Sequence, residues 1–97
     1  MKFTSLEVAA KQSIVLGIEQ RVQSSKVPNY KSWRIGITHD WQQRYVDWGK
    51  PPHFLYWETN SLEDAQAIEA HFIHHKGMDG GTGGDLSTRK AAYVYIF

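Results

Sequence analysis

A glutamate and an arginine on neighbouring amphipathic segments have the types and spacing to act on phosphate. The segment NSLEDAQAIEAHFIHHK covers residues 60–76. Wound as a helix at about 100° per residue from Leu62, it sets Ala65, Ile68 and Phe72 near 300°, 240° and 280°, and Ile73 near 20°. Those positions define an apolar arc, and Glu69 falls inside it near 340°, whereas Glu63 and Asp64 fall outside near 100° and 200°. A carboxylate inside an apolar arc is costly unless it is paired, hydrogen-bonded or bound to a cation. Glu69 therefore reads either as half of a structural ion pair or as a metal-ligating or catalytic carboxylate.

The arginine lies in RIGITHDWQQR, residues 34–44. On a helix after Thr38, Trp41, Tyr45 and Trp48 share one face, with Arg44 within about 60° of Trp41. A guanidinium there is an ion-pair partner or half of a phosphate site. His71, His74 and His75 include an i,i+4 pair able to share a metal ion. They point away from Glu69, do not form H-E-x-x-H and have no neighbouring fourth ligand, so solvated histidines are expected. DGGTGGD, residues 79–85, could wrap a phosphate with backbone amides. It lacks a Walker lysine and follows a helix, which favours a plain connection. Lys31, Arg34, Arg89 and Lys90, with Lys26 and Lys50, are the cations available for phosphate contacts among aromatics.

These residues must be held by a small set of elements. A first helix runs from about Ser5 to Gln23: Thr4-Ser5-Leu6-Glu7 has capping-box spacing, and Leu6, Ala10, Ile14, Ile18 and Val22 recur every fourth residue. Ser32–Thr38 alternates, with Trp33, Ile35 and Ile37 on one face, as a half-buried strand does. Thr38 can cap a short helix with Asp40 in its first turn, ending at Gly49 before Pro51-Pro52. His53–Thr59 is a second strand, and Asn60-Ser61 opens the helix to about Lys76. GMDGGTGGD, residues 77–85, is a loop, and AAYVYIF, residues 91–97, is a third strand with Tyr93, Tyr95 and Phe97 on one side. The expected fold is α+β: a small three-stranded, mostly antiparallel sheet packed against helices, in a single domain spanning residues 1–97.

Composition sets outer bounds. A chain of 97 residues is near the lower end of what buries an adequate core without staples. It has no cysteine, which excludes disulfides and thiolate metal sites, and offsets this with 4 Trp, 5 Tyr and 4 Phe. A net charge of +1 neither demands nor excludes nucleic acid, because a local patch matters more than the total. No apolar run approaches the roughly 20 residues of a membrane span. Glu7, Lys11 and Gln12 interrupt the amino-terminal segment as a secretory signal. No membrane association and a cytoplasmic location are the expectation.

Gly36-Ile37-Thr38, with Arg44 eight positions after the glycine, resembles the second half-motif of the GIY-YIG nucleases. NSLEDAQAIEAHFI, residues 60–73, resembles that family's later helix, where one glutamate, matched here by Glu69, holds the divalent metal. The likeness covers residues 30–76 or so, in the same order. It implies an endonuclease cleaving DNA or another nucleic acid, with Mg²⁺ on Glu69, Arg44 neutralising phosphoryl charge and a tyrosine helping to activate water. The chain departs from the family in three places. No GIY strand precedes residue 30, Arg34 stands where the family carries tyrosine, and Trp48 stands where a histidine occurs. The last strand has the alternation of the missing one; a permuted arrangement would place it there, with Tyr93 or Tyr95 supplying the hydroxyl. The alternative is a catalytically inactive nuclease-like fold that binds nucleic acid or a protein, and a third reading is an unrelated α+β interaction domain. Cleavage requires Arg44 and Glu69 to serve one site against the sheet.

Overall fold

The computed structural model describes residues 2–80 and 92–97. The alternation around residue 35 becomes strand β1, Arg34–Thr38. Ile35 and Ile37 enter the main core, and Gly36 and Thr38 point to the other face, as a period of two dictates. Strand β2 is Leu55–Glu58, a two-residue strand β3 is Asp79–Gly80, and strand β4 is Tyr93–Ile96. The sheet order is β2-β4-β1-β3. β4 is antiparallel to both neighbours: Gly36 and Tyr56 both face Tyr95, and Ile37 and Trp57 both face Val94.

The expected three strands are thus four, in a mixed sheet. The addition is β3, parallel to β1 in the register Arg34↔Asp79 and Ile35↔Gly80. It arises from the segment read as loop. Gly77 takes φ 87°, a left-handed conformation that glycine adopts without strain. Met78 then donates to the Phe72 carbonyl at 2.9 Å, and Asp79 to the Trp33 carbonyl at 3.0 Å. Two residues carry no periodicity, so nothing in the sequence marked them as a strand.

Helix α1 is Lys2–Gln23. It begins before the capping box at Thr4-Ser5, which therefore lies inside it. Helix α2 is Trp41–Asp47 and helix α3 is Leu62–His71, which widens into a π-helical turn, Phe72–Lys76. The cap of α3 is the expected one: Ser61 Oγ accepts from Asp64 N–H at 3.1 Å. The cap of α2 is Asp40, whose Oδ1 accepts from Gln43 N–H at 3.1 Å. Thr38, expected in that role, instead uses its hydroxyl to accept from Asp40 N–H at 3.0 Å.

α1 and α3 share one face of the sheet. Ile14, Ile18 and Val22 from α1, and Ala65, Ile68 and Phe72 from the α3 segment, form one core with Ile35, Ile37, Val94 and Ile96. α2 lies on the other face. Trp41 stacks on Tyr56 at 3.9 Å, Tyr45 meets Phe54 at 5.2 Å and Trp48 meets Phe97 at 5.1 Å. The main core is therefore largely aliphatic around Phe72 and Trp33, and the second layer is built from rings.

Candidate functional site at the edge of strand β1

β1 has two different edges. Along one it pairs with β4 over residues 35–38, while along the other only Arg34 and Ile35 meet β3. Among the described residues, Gly36–Thr38 has no strand neighbour on that second side. Helix α3, which carries Glu69, and helix α2, which carries Arg44, lie on opposite faces of the sheet.

On α3, Ile68 and His71 face α1 across a groove. Ile73, on the other flank, reaches β3 and lies against Gly80. Glu69 lies in the last turn of α3, ahead of the π-helical turn that carries Ile73. On α2, Tyr45 leans towards Phe54 beside β2, while Trp48 leans towards Arg34 and Phe97. Arg44 lies a further 40° or so round on Trp48's side. The two residues therefore approach the sheet from opposite faces. They form no ion pair with each other: Arg44 Nη1 is 3.7 Å from Asp47 Oδ2, in a half-exposed i,i+3 pair.

Glu69 is the anomalous group of the site. Its Oε2 is buried with no hydrogen-bond partner, and desolvation raises its pKa from 4.5 to about 7. An orphaned buried carboxylate oxygen is a position that a cation would satisfy. Mg²⁺ takes one or two protein carboxylates and completes its shell with water and phosphate, so a single glutamate is an adequate protein contribution. Among the described residues no group of three or more His, Cys, Asp or Glu side chains could hold a metal. His71 and His75 have ring centroids 5.6 Å apart, and His71 also sits edge-on to Phe72.

The two tyrosines separate. Tyr93 pairs with Thr38 in the ladder and meets the Tyr56 ring edge-on at 6.0 Å, over β2. Tyr95 runs the other way. A Cβ placed on Gly36 would collide with its Cζ and hydroxyl, so the phenol crosses β1 above the glycine. Trp48 Nε1 donates to that hydroxyl at 3.3 Å. On sequence, Trp48 belongs to the packed face of α2, and periodicity alone does not link it to Tyr95. The signal was present as a glycine in a strand beside an aromatic stripe, which marks a site of close approach.

Arg34 donates to Asp79 Oδ2 at 2.6 Å and stacks 4.8 Å from the Trp48 ring, so its guanidinium is engaged within the fold. Lys31 is exposed on the turn before β1. Arg89 and Lys90, and most of the glycine-rich DGGTGGD, lie outside the described residues. No described helix is long and apolar enough to cross a membrane.

The chain matches no family model, no curated protein and no solved structure. The functional reading therefore rests on the site itself.

Proposed function

We propose that this domain is a metal-dependent endonuclease of GIY-YIG type, cleaving nucleic-acid phosphodiesters at the open edge of β1. The observation that carries the reading is Glu69, half-buried, without a partner for Oε2 and held near neutrality in its protonation. The position of β4 adds support. A permuted first strand has to lie antiparallel beside β1, and β4 does, with its Tyr95 hydroxyl above Gly36.

In this reading Glu69 would hold Mg²⁺, which would supply Lewis-acid polarisation of the scissile phosphate and stabilisation of the leaving oxygen. Arg44 exchanges its weak pair with Asp47 for the phosphoryl oxygens, where a guanidinium offsets developing charge. Tyr95, oriented by Trp48, hydrogen-bonds the attacking water and helps to position and activate it. Purified protein with Mg²⁺ is expected to nick supercoiled plasmid or branched DNA, and Glu69→Gln to abolish nicking while leaving the fold intact. Nicking that persists in Glu69→Gln would reject the assignment.

A second reading has its own support. Arg44 is engaged by Asp47 and Tyr95 by Trp48, as expected of a nuclease-like fold that binds nucleic acid or a protein without cutting. Salt-dependent oligonucleotide binding would then survive Glu69→Gln, weaken in Arg44→Ala and occur without nicking.

A further inference from the structure

At the opposite end of β1 from Thr38, a separate cationic hollow of about 320 Å³ is lined by Arg21, Lys26, Trp33 and His53, with Ser24 and Ser25. The last turn of α1, the connection after it, Trp33 ahead of β1 and His53 ahead of β2 close it in. Arg21 is its defining group. Its Nε is buried and has no hydrogen-bond partner. Its Nη2 is 3.4 Å from His53 Nδ1, and its guanidinium carbon is 6.0 Å from the Trp33 ring. Trp33 is itself fixed, donating Nε1–H to the Val27 carbonyl at 3.0 Å.

The charge in this hollow is uncompensated. Among the described residues no Asp or Glu lines it, and neither Arg21 nor Lys26 takes part in an ion pair. A helix C-terminus disfavours an anion, yet here its carbonyls are quenched. Ser24 Oγ donates to the Gln20 carbonyl at 2.7 Å and Ser25 Oγ to the Val22 carbonyl at 2.6 Å. A guanidinium can only donate, so His53 Nδ1 accepts from Arg21 and the ring's Nε2 carries the proton. A buried N–H without a partner is a cost that native proteins seldom leave uncovered.

We infer that this hollow binds a phosphate monoester. A guanidinium fork matches phosphate oxygens in a plane. Lys26 supplies the second positive charge that a dianion, and not a carboxylate, requires. The site uses none of Arg44, Glu69 or Tyr95, so it stands or falls apart from the proposed nuclease activity. A phosphate monoester reaches it either as free phosphate or as the 5′ end of a nucleic-acid strand, and these sources are separable.

The test is titration of the full chain with inorganic phosphate, at ionic strength matched with chloride. The readouts are calorimetry and the side-chain Nε–Hε resonance of Arg21. Saturable binding at one site and a downfield shift of that resonance are expected. Arg21→Gln weakens binding by about tenfold or more, Lys26→Gln weakens it less, and Glu69→Gln leaves it unchanged. A 5′-phosphorylated oligonucleotide that binds more tightly than its 5′-hydroxyl twin, in an Arg21-dependent way, identifies a strand end as the source. Equal binding of the twins alongside Arg21-dependent phosphate binding identifies the free ion. An unmoved Arg21 resonance, or phosphate binding undiminished in Arg21→Gln, overturns the proposal.

Discussion

Glu69→Gln removes a charge while keeping the shape of the side chain, and so isolates what the buried carboxylate costs the fold. Burial raises its pKa from 4.5 to about 7, whereas in the unfolded chain it keeps its ordinary value. Below that value both states hold the proton and there is no penalty. Between there and about 7 the folded protein keeps a proton that the unfolded chain has released, so stability falls as pH rises. Above about 7 the penalty is complete. The interval from 4.5 to about 7 corresponds to roughly 3.4 kcal/mol at most. Because part of the side chain reaches water, about 1–2 kcal/mol is the expected size.

Thermal melts of the wild type and Glu69→Gln from pH 4.5 to 8.5, without divalent ions, read this directly. The two curves should coincide at the acid end. At pH 8 the glutamine variant should melt about 4–16 °C higher, given roughly 4–8 °C per kcal/mol for a domain of this size. Added MgCl₂ at pH 8 should raise the wild type and leave the variant unmoved. Parallel curves across the whole range would refute the burial argument, and an equal response of both proteins to Mg²⁺ would refute the metal assignment.

Arg44→Ala should change stability by no more than about 0.5 kcal/mol, since it loses one half-exposed ion pair. Nicking should fall about 100-fold or more if the guanidinium meets developing charge; plasmid assays and urea melts on one preparation separate the two effects. Gly36→Ala sets a methyl group against the Tyr95 ring and should cost about 1–3 kcal/mol. That cost should shrink in a Tyr95→Ala background, and strict additivity in a double-mutant cycle would reject the close approach. Phe72 is fully buried where α3 turns into its π-helical end. Its replacement by alanine should cost about 3–5 kcal/mol, seen as lost near-ultraviolet dichroism well below the wild-type melting temperature.

Periodicity carried most of what could be read beforehand. Ile35 and Ile37 alternate into the core as expected, and the 3.6-residue arc of α3 put Ile68 and Phe72 inside with Glu69 at its rim. Serine at 61 capped that helix because its hydroxyl is free to accept from Asp64. The same logic failed at Thr38. Its hydroxyl is taken up by the backbone of Asp40, so the aspartate was left to cap α2. Strand order was not legible either, because alternation in 93–96 says which residues share a face and not which strand they join. The pairing of β4 with β1 spans most of the described chain, and its register is set by packing Val94 and Ile96 against a core assembled from every earlier helix but α2.

The candidate site depends on β1 being bordered at one end and open at the other. Arg34 and Asp79 account for that difference. Their 2.6 Å pair fastens β3 to the first two residues of β1, and the guanidinium then stacks on Trp48, whose indole N–H reaches Tyr95. The arginine that stands in place of the family's tyrosine therefore has a structural task on the proposed reading. It holds the border strand and the ring that orients the hydroxyl, while Gly36, one residue past β3's reach, leaves room for that hydroxyl to cross. Arg34→Met keeps the stem that packs on Trp48 and removes the ion pair, so it should loosen β3 without disturbing the aliphatic core. Faster amide exchange at Asp79, whose N–H bonds to Trp33, with unchanged protection at Val94, is the expected result. Equal loss of protection at both positions would mean that β3 and the core open as one unit, and that the edge of β1 is not independently bordered.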